Sequence, residues 1–97
     1  MKESQLQYYL LLTLKSLKIF AKKYSAGSRS GSGVPDIIGC RNGKFFGIEV
    51  KYGSKVSEGQ KTTGEEIQES GGEFYIVTRQ REAEELIKIF AEKMKNV

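Results

Sequence analysis

Asp36, Glu49 and Lys51 are the residues of this chain whose types and spacing can do chemistry together. Two carboxylates and an ammonium suit a hard divalent cation and an anionic substrate. Asn42-Gly43 lies midway between the acids, and Asn-Gly is the strongest short-range signal for a two-residue hairpin turn. If Arg41 and Lys44 close that turn, Cys40 faces Phe45, Ile38 faces Gly47 and Asp36 faces Glu49. The acids then fall at a non-hydrogen-bonded pair, with Cα atoms about 4.5 Å apart and side chains on one face. Like charges so opposed destabilise a hairpin. A cation, a raised pKa on one acid, or Lys51 must offset the repulsion. Lys51 shares Glu49's face two residues further on, and the set reads as a divalent-metal site with a lysine beside it. A bulge in the hairpin would send the two acids to opposite faces.

The chain contains no histidine. That excludes imidazole-based triads and histidine-metal nucleases, and it removes the usual zinc ligands. Hydrolytic chemistry here must use carboxylates, lysine and an oxygen-loving cation. The single cysteine, Cys40, cannot form an internal disulfide, which fits a reducing cytoplasm. In a strand it is expected to be a small core residue. A net charge of +4 favours an anionic partner without specifying one. Neither a signal peptide nor a membrane span is expected. Ninety-seven residues, 38% apolar and 29% charged, suffice for one domain with one modest core, spanning 1–97.

The elements that must position the acids follow from hydrophobic period. Leu6, Leu10, Leu14 (or Thr13), Leu17, Phe20 and Tyr24 form one apolar stripe, so a helix is expected from Ser4 to about Tyr24. Glu3 continues that stripe at the first turn, either complementing the helix dipole or serving the site. Tyr8, Leu11, Leu12 and Ile19 lie off the stripe. A helix apolar on two sides suggests a partner surface, and a homodimer is the economical expectation. Residues 25–33 form a Gly/Ser-rich loop whose one charge, Arg29, is a phosphate contact or part of a solvated linker.

Strands are expected over roughly 36–40 and 44–51, with Pro35 where the ladder begins. Ser57 and Gln60 fit a capping box opening a helix that Gly71-Gly72 stop. Residues 73–77 read as a strand, and Thr78 as the cap of a last helix burying Ala83, Leu86, Ile87, Phe90 and Met94. The expected order is α-β-β-α-β-α, a small mixed α/β sheet whose last strand returns parallel through a crossover.

Gly33-Val34-Pro35-Asp36-Ile37-Ile38, then Gly47-Ile48-Glu49-Val50-Lys51, then Gln60, then Gly71-Gly72 leading into a strand, follow one ordered pattern over nearly the whole chain. That pattern resembles the VRR-NUC family of the PD-(D/E)XK nuclease superfamily, in its small stand-alone type. The resemblance implies a restriction-endonuclease-like fold and a magnesium-dependent DNA endonuclease, with manganese able to substitute. It implies a homodimer, mostly of phage origin, that cuts branched DNA such as Holliday junctions, while larger relatives cut flaps. By position it makes Asp36, Glu49 and the Val50 carbonyl metal ligands and Lys51 the catalytic lysine. Gln60 and Glu3 match family positions near the site. Lys55 and Lys61 would track the DNA backbone, giving affinity without sequence information. No small-molecule cofactor is implied. A catalytically idle DNA-binding module of the same fold is the alternative, and an RNA-binding domain using Phe45, Phe46 and Tyr52 is a third reading.

Overall fold

Asn42 and Gly43 both take positive φ, 53° and 80°, as a type I′ hairpin turn requires. The computed structural model describes residues 2–24, 33–53 and 56–95. Its elements in chain order are α1 (Glu3–Ser16), β1 (Phe20–Lys23), β2 (Ile37–Arg41), β3 (Lys44–Val50), α2 (Glu58–Glu69), β4 (Glu73–Val77) and α3 (Gln80–Lys95). The turn pairs β2 with β3 antiparallel, Arg41 opposite Lys44, Cys40 opposite Phe45 and Ile38 opposite Gly47, which is the expected register without a bulge. β4 pairs parallel with β3 through the α2 crossover. The sheet order is β1-β2-β3-β4.

Strand alternation divides the sheet into two faces. Phe46, Ile48 and Val50 point one way and pack with Leu6, Leu10 and Leu14 of α1 and Ala83, Leu86 and Phe90 of α3. The other face, which includes Gly47, Glu49 and Phe74, is covered by α2. Gly64 permits that approach, since a Cβ there would lie 2.4 Å from the Phe74 ring, while Gly47 makes room for Pro35, whose Cγ would lie 2.7 Å from a Cβ.

The first helix is shorter than its apolar period suggests, and a fourth strand, β1, follows it. Lys18 takes φ 61°, the Ile19 N–H donates to the Leu14 carbonyl (3.0 Å) and the Lys18 N–H to that of Lys15 (2.9 Å). This is a Schellman motif with lysine in the left-handed position that glycine usually takes, and Ile19 packs back into the core. Phe20 and Tyr24, expected to point inward, are instead 59% and 38% exposed, while Ile19, expected outside, is buried. Cys40 is also exposed, not a core residue. Its side chain lies on the face away from α1 and α3, opposite the exposed Phe45, near the turn.

A buried ion pair closes the turn end of the sheet. Arg41, 6% exposed, places Nη2 at 2.8 and 3.0 Å from the two carboxylate oxygens of Glu73 and its guanidinium 5.1 Å from the centre of the Phe90 ring. The Tyr75 hydroxyl donates to the same carboxylate (2.8 Å), and Lys93 adds a charge at 3.4 Å. Burial alone would raise the Glu73 pKa. The hydrogen bonds from Arg41 and Tyr75, with the charges of Arg41 and Lys93, outweigh burial and hold it below the usual carboxylate value.

Two stability measurements test these assignments. Lys18→Gly should stabilise the chain by about 1 kcal/mol, by removing the left-handed penalty of an L side chain. A loss of stability in urea would rule out the left-handed cap. Glu73→Ala strands the buried Arg41 charge and should cost about 3–5 kcal/mol, whereas a loss below about 1 kcal/mol is what a solvated surface pair would give.

Candidate active site

Pro35 sets the geometry at the other end of the hairpin. Extended by two residues, the β2–β3 register places Pro35 opposite Val50, but proline has no N–H to donate. The ladder stops, and the Asp36 carboxylate turns in to accept from the Val50 N–H (2.9 Å). The Asp36 backbone carbonyl accepts from the Tyr24 N–H (2.8 Å), tying the same residue to the end of β1. The N–H and C=O of one strand residue point to the same edge. The Val50 carbonyl therefore faces Asp36 at a position where Pro35 cannot donate to it.

Glu49 lies beside Asp36, one residue before Val50, with 0% of its surface exposed. Neither of its carboxylate oxygens has a hydrogen-bond partner among the described residues. Its neighbour Asp36 is another acceptor, so a hydrogen bond between them requires a proton on one of them. Burial first, then the adjacent Asp36 carboxyl, with a further contribution from Glu3, push the Glu49 pKa up to about 8 against the opposing pull of Lys51. Lys51, half-buried, leaves the end of β3 with its N–H on the Val77 carbonyl (2.9 Å). Glu3 is the first residue of α1. The structure thus brings Asp36, Glu49, Lys51 and Glu3 into one electrostatic cluster.

The remaining sequence candidates lie elsewhere or are engaged locally. Gln60 completes the capping box of α2: its Oε1 accepts from the Ser57 N–H (2.8 Å) and its N–H donates to Ser57 Oγ (3.2 Å). Lys61 is exposed and pairs with Glu58 at 3.5 Å. Arg29 and Lys55 lie outside the described residues. Phe46 is a core residue, edge-on to Phe90 at 5.0 Å, whereas Phe45 and Tyr52 are 43% and 41% exposed.

Thr78 does not cap α3 in the expected sense. Its N–H and hydroxyl both donate to Glu82 Oε1, at 2.6 and 2.7 Å, so the acid reaches back to the threonine. The parallel register pairs Val50 with Val77 and so sets Thr78 and Arg79 beside Lys51 and Tyr52. No motif marks Arg79 in the sequence; its one signal is the crossover, which gathers the carboxyl ends of two parallel strands at one place.

Among the described residues, no three acidic, thiol or imidazole side chains converge closely enough to hold a metal ion by themselves. The donor set nevertheless fits a hard divalent cation completed by other oxygens. Glu49 is a buried carboxylate without a donor, Asp36 stands beside it, and the Val50 carbonyl faces the same edge. Without metal, Glu49 holds a proton up to about pH 8; a divalent cation bound there would displace it and balance the carboxylates.

No protein-family model matches the sequence, and no curated protein does. A search of solved structures finds a chain described as a VRR_NUC domain, 25% identical, with a TM-score of 0.73 over 89% of this chain and 94% of the other. That match supports membership of the VRR-NUC family. Its mixed four-stranded sheet flanked by helices is consistent with a restriction-endonuclease-like VRR-NUC fold, and the VRR-NUC domain is a nuclease-type scaffold.

Glu49 gives this VRR-NUC domain a pH signature when metal is chelated. Between about 4.5, the ordinary carboxylate value, and about 8, the folded chain holds a proton that the unfolded chain has released. The contribution of Glu49 therefore favours folding most at low pH and is lost as pH rises through about 8. The Tm of the wild type relative to Glu49→Gln should fall between about pH 5 and 8 and level off above. A difference that does not vary with pH would show that Glu49 is not a buried, proton-holding acid.

Proposed function

We propose that this VRR-NUC domain is a magnesium-dependent endonuclease that hydrolyses phosphodiester bonds in branched DNA as a homodimer. The observation that carries this reading is the buried Glu49 carboxylate without a donor, set against Asp36 on a nuclease-type fold. A side chain kept only for stability would not be an ionisable acid buried without a donor, since burying such a group unpaired is unfavourable. The same cost argues against an idle DNA-binding module.

Asp36, Glu49 and the Val50 carbonyl would hold the ion. Bound there, a divalent cation lowers the pKa of water and polarises a phosphoryl oxygen, and manganese would serve in place of magnesium. Asp36 is pre-oriented, because the Val50 N–H fixes its carboxylate. Lys51 stands at the mouth of the acidic cluster, where its ammonium can orient the attacking water and stabilise charge developing on the phosphate. Gln60 fixes the start of α2, and Glu3 adds negative field at the site.

The outward side of α1 supports the homodimer. Tyr8, Leu12 and Phe20 are 66%, 55% and 59% exposed. With Leu11 and Ile19 they line a groove of about 550 Å³ beside β1, an edge strand of the sheet. Exposed apolar surface on an unpaired strand edge is the kind of surface a second copy covers.

The test is cleavage of junction, flap and linear DNA in magnesium, manganese and chelator, beside Asp36→Ala and Lys51→Ala. The wild type should cut branched DNA only with metal, and each variant should lose about 10²–10³-fold in kcat. Absence of cutting in both metals ends the nuclease proposal, and full activity of Lys51→Ala removes the role given to that lysine. Sedimentation at micromolar concentration should give twice the mass of one chain.

A further inference from the structure

We infer that the cleft at the carboxyl ends of β3 and β4 receives one unpaired nucleotide of the strand being cut, with Arg79 on its phosphate and Tyr52 against its base; this rests on the nuclease proposal above. The cleft measures about 590 Å³ and is lined by Lys51, Tyr52, Gly53, Thr78 and Arg79. Its volume lies within the range of roughly 300–1,000 Å³ that accepts a small-molecule-sized group, so it suits a nucleotide and not a duplex. It exists because β3 and β4 are parallel and in register, so that both chains emerge side by side. Gly53, at φ 76°, turns the first of them away.

The lining has the chemistry of a nucleic-acid strand. Lys51 and Arg79 are cations, and among the described residues no acid lines the cleft. Glu82 lies at its back, but its carboxylate is held by the N–H and hydroxyl of Thr78. Those two donors are consequently spent, and Arg79 is left as the phosphate ligand. Lys51 belongs both to the cleft and to the acidic cluster. A strand whose scissile phosphate meets Lys51 therefore continues directly into the cleft.

Tyr52, 41% exposed on the cleft wall, presents a ring on which a base can stack, an interaction that every base can make. A paired base inside a duplex has both faces covered by its neighbours. Only a base at a branch, flap or gap can offer a face to Tyr52. The cleft would thereby turn a general phosphate contact into selection for branched DNA.

The experiment measures binding, in calcium and in chelator, of labelled three-way duplexes with and without one unpaired nucleotide at the branch. It compares the wild type with Tyr52→Ala, Tyr52→Phe, Arg79→Ala and, two turns along α3, Lys88→Ala as a general charge control. Tyr52→Ala should lose about tenfold in affinity for the unpaired probe and little for the fully paired one, with Tyr52→Phe restoring it. Arg79→Ala should weaken both probes and reduce the log–log salt slope by about 0.7–0.9, an effect Lys88→Ala should not reproduce. In cleavage assays both alanine variants should raise KM by a larger factor than they lower kcat. If Tyr52→Ala and Arg79→Ala bind both probes as the wild type does, the subsite is overturned even where cutting is normal. If the wild type cuts nothing but the variants lose the unpaired probe, the nuclease proposal falls and the subsite stands.

Discussion

Proline's missing N–H at position 35 is the constraint on which the site depends. It ends the β2–β3 ladder at Ile37 and Ile48 and leaves the Val50 edge to a side chain. The Asp36 carboxylate takes that edge through its bond to the Val50 N–H. The neighbouring Glu49 is then buried with no donor of its own among the described residues. Each surrounding feature serves this arrangement: Asn42-Gly43 fixes the register, Gly47 lets the proline ring settle on β3, and the α2 crossover lays β4 alongside.

The two ends of the sheet treat a buried glutamate in opposite ways. At the turn end, Glu73 receives Arg41, Tyr75 and Lys93, and its carboxyl is held below the usual range. At the other end burial first, and then a neighbouring acid in place of any donor, raise the Glu49 pKa to about 8. The residue type is the same and both are largely out of water, so the partners decide the sign. Glu73 is a finished structural contact that locks β2, β4 and α3 together. Glu49 is an unfinished one, and its deficit has the sign and the donors that a divalent cation would satisfy. A fold can hold such a deficit at one end because the core and the Arg41–Glu73 pair hold the remainder.

What could be read from the sequence was local. The hairpin register followed from two adjacent residues, the α2 cap from four, and the crossover from one helix between two strands. β1 was hidden because Lys18 stands where a glycine would have marked the end of α1, and because Phe20 and Tyr24 prolong the apolar period by coincidence. Left-handed lysine is rare enough to mislead and cheap enough to occur. The Arg41–Glu73 pair spans 32 residues and no spacing rule reaches it. The exposure of Cys40 follows from which face α2 covers and how far along the strands, a tertiary fact. The two acids were legible as a pair, but the burial that raises Glu49 belongs to the packed helix.

Lys51 connects these levels. On the strand it falls two residues after Glu49 and so shares its face; in the site it is the one cation in a cluster of three acids. At the mouth it becomes, with Arg79, the wall of a cleft that no acid lines. The potential therefore changes sign over the length of a single side chain, from acids that attract a metal to cations that attract a phosphate. Under the proposed function, a polyanion approaching this end of the sheet would be repelled by the acids until a divalent ion neutralised them, and would be held by Lys51 and Arg79 beside that ion. Metal and nucleic acid would accordingly reinforce one another's binding, because each screens the charge that opposes the other. The coupling requires no conformational change, since two parallel strands ending side by side already place both sets of charges.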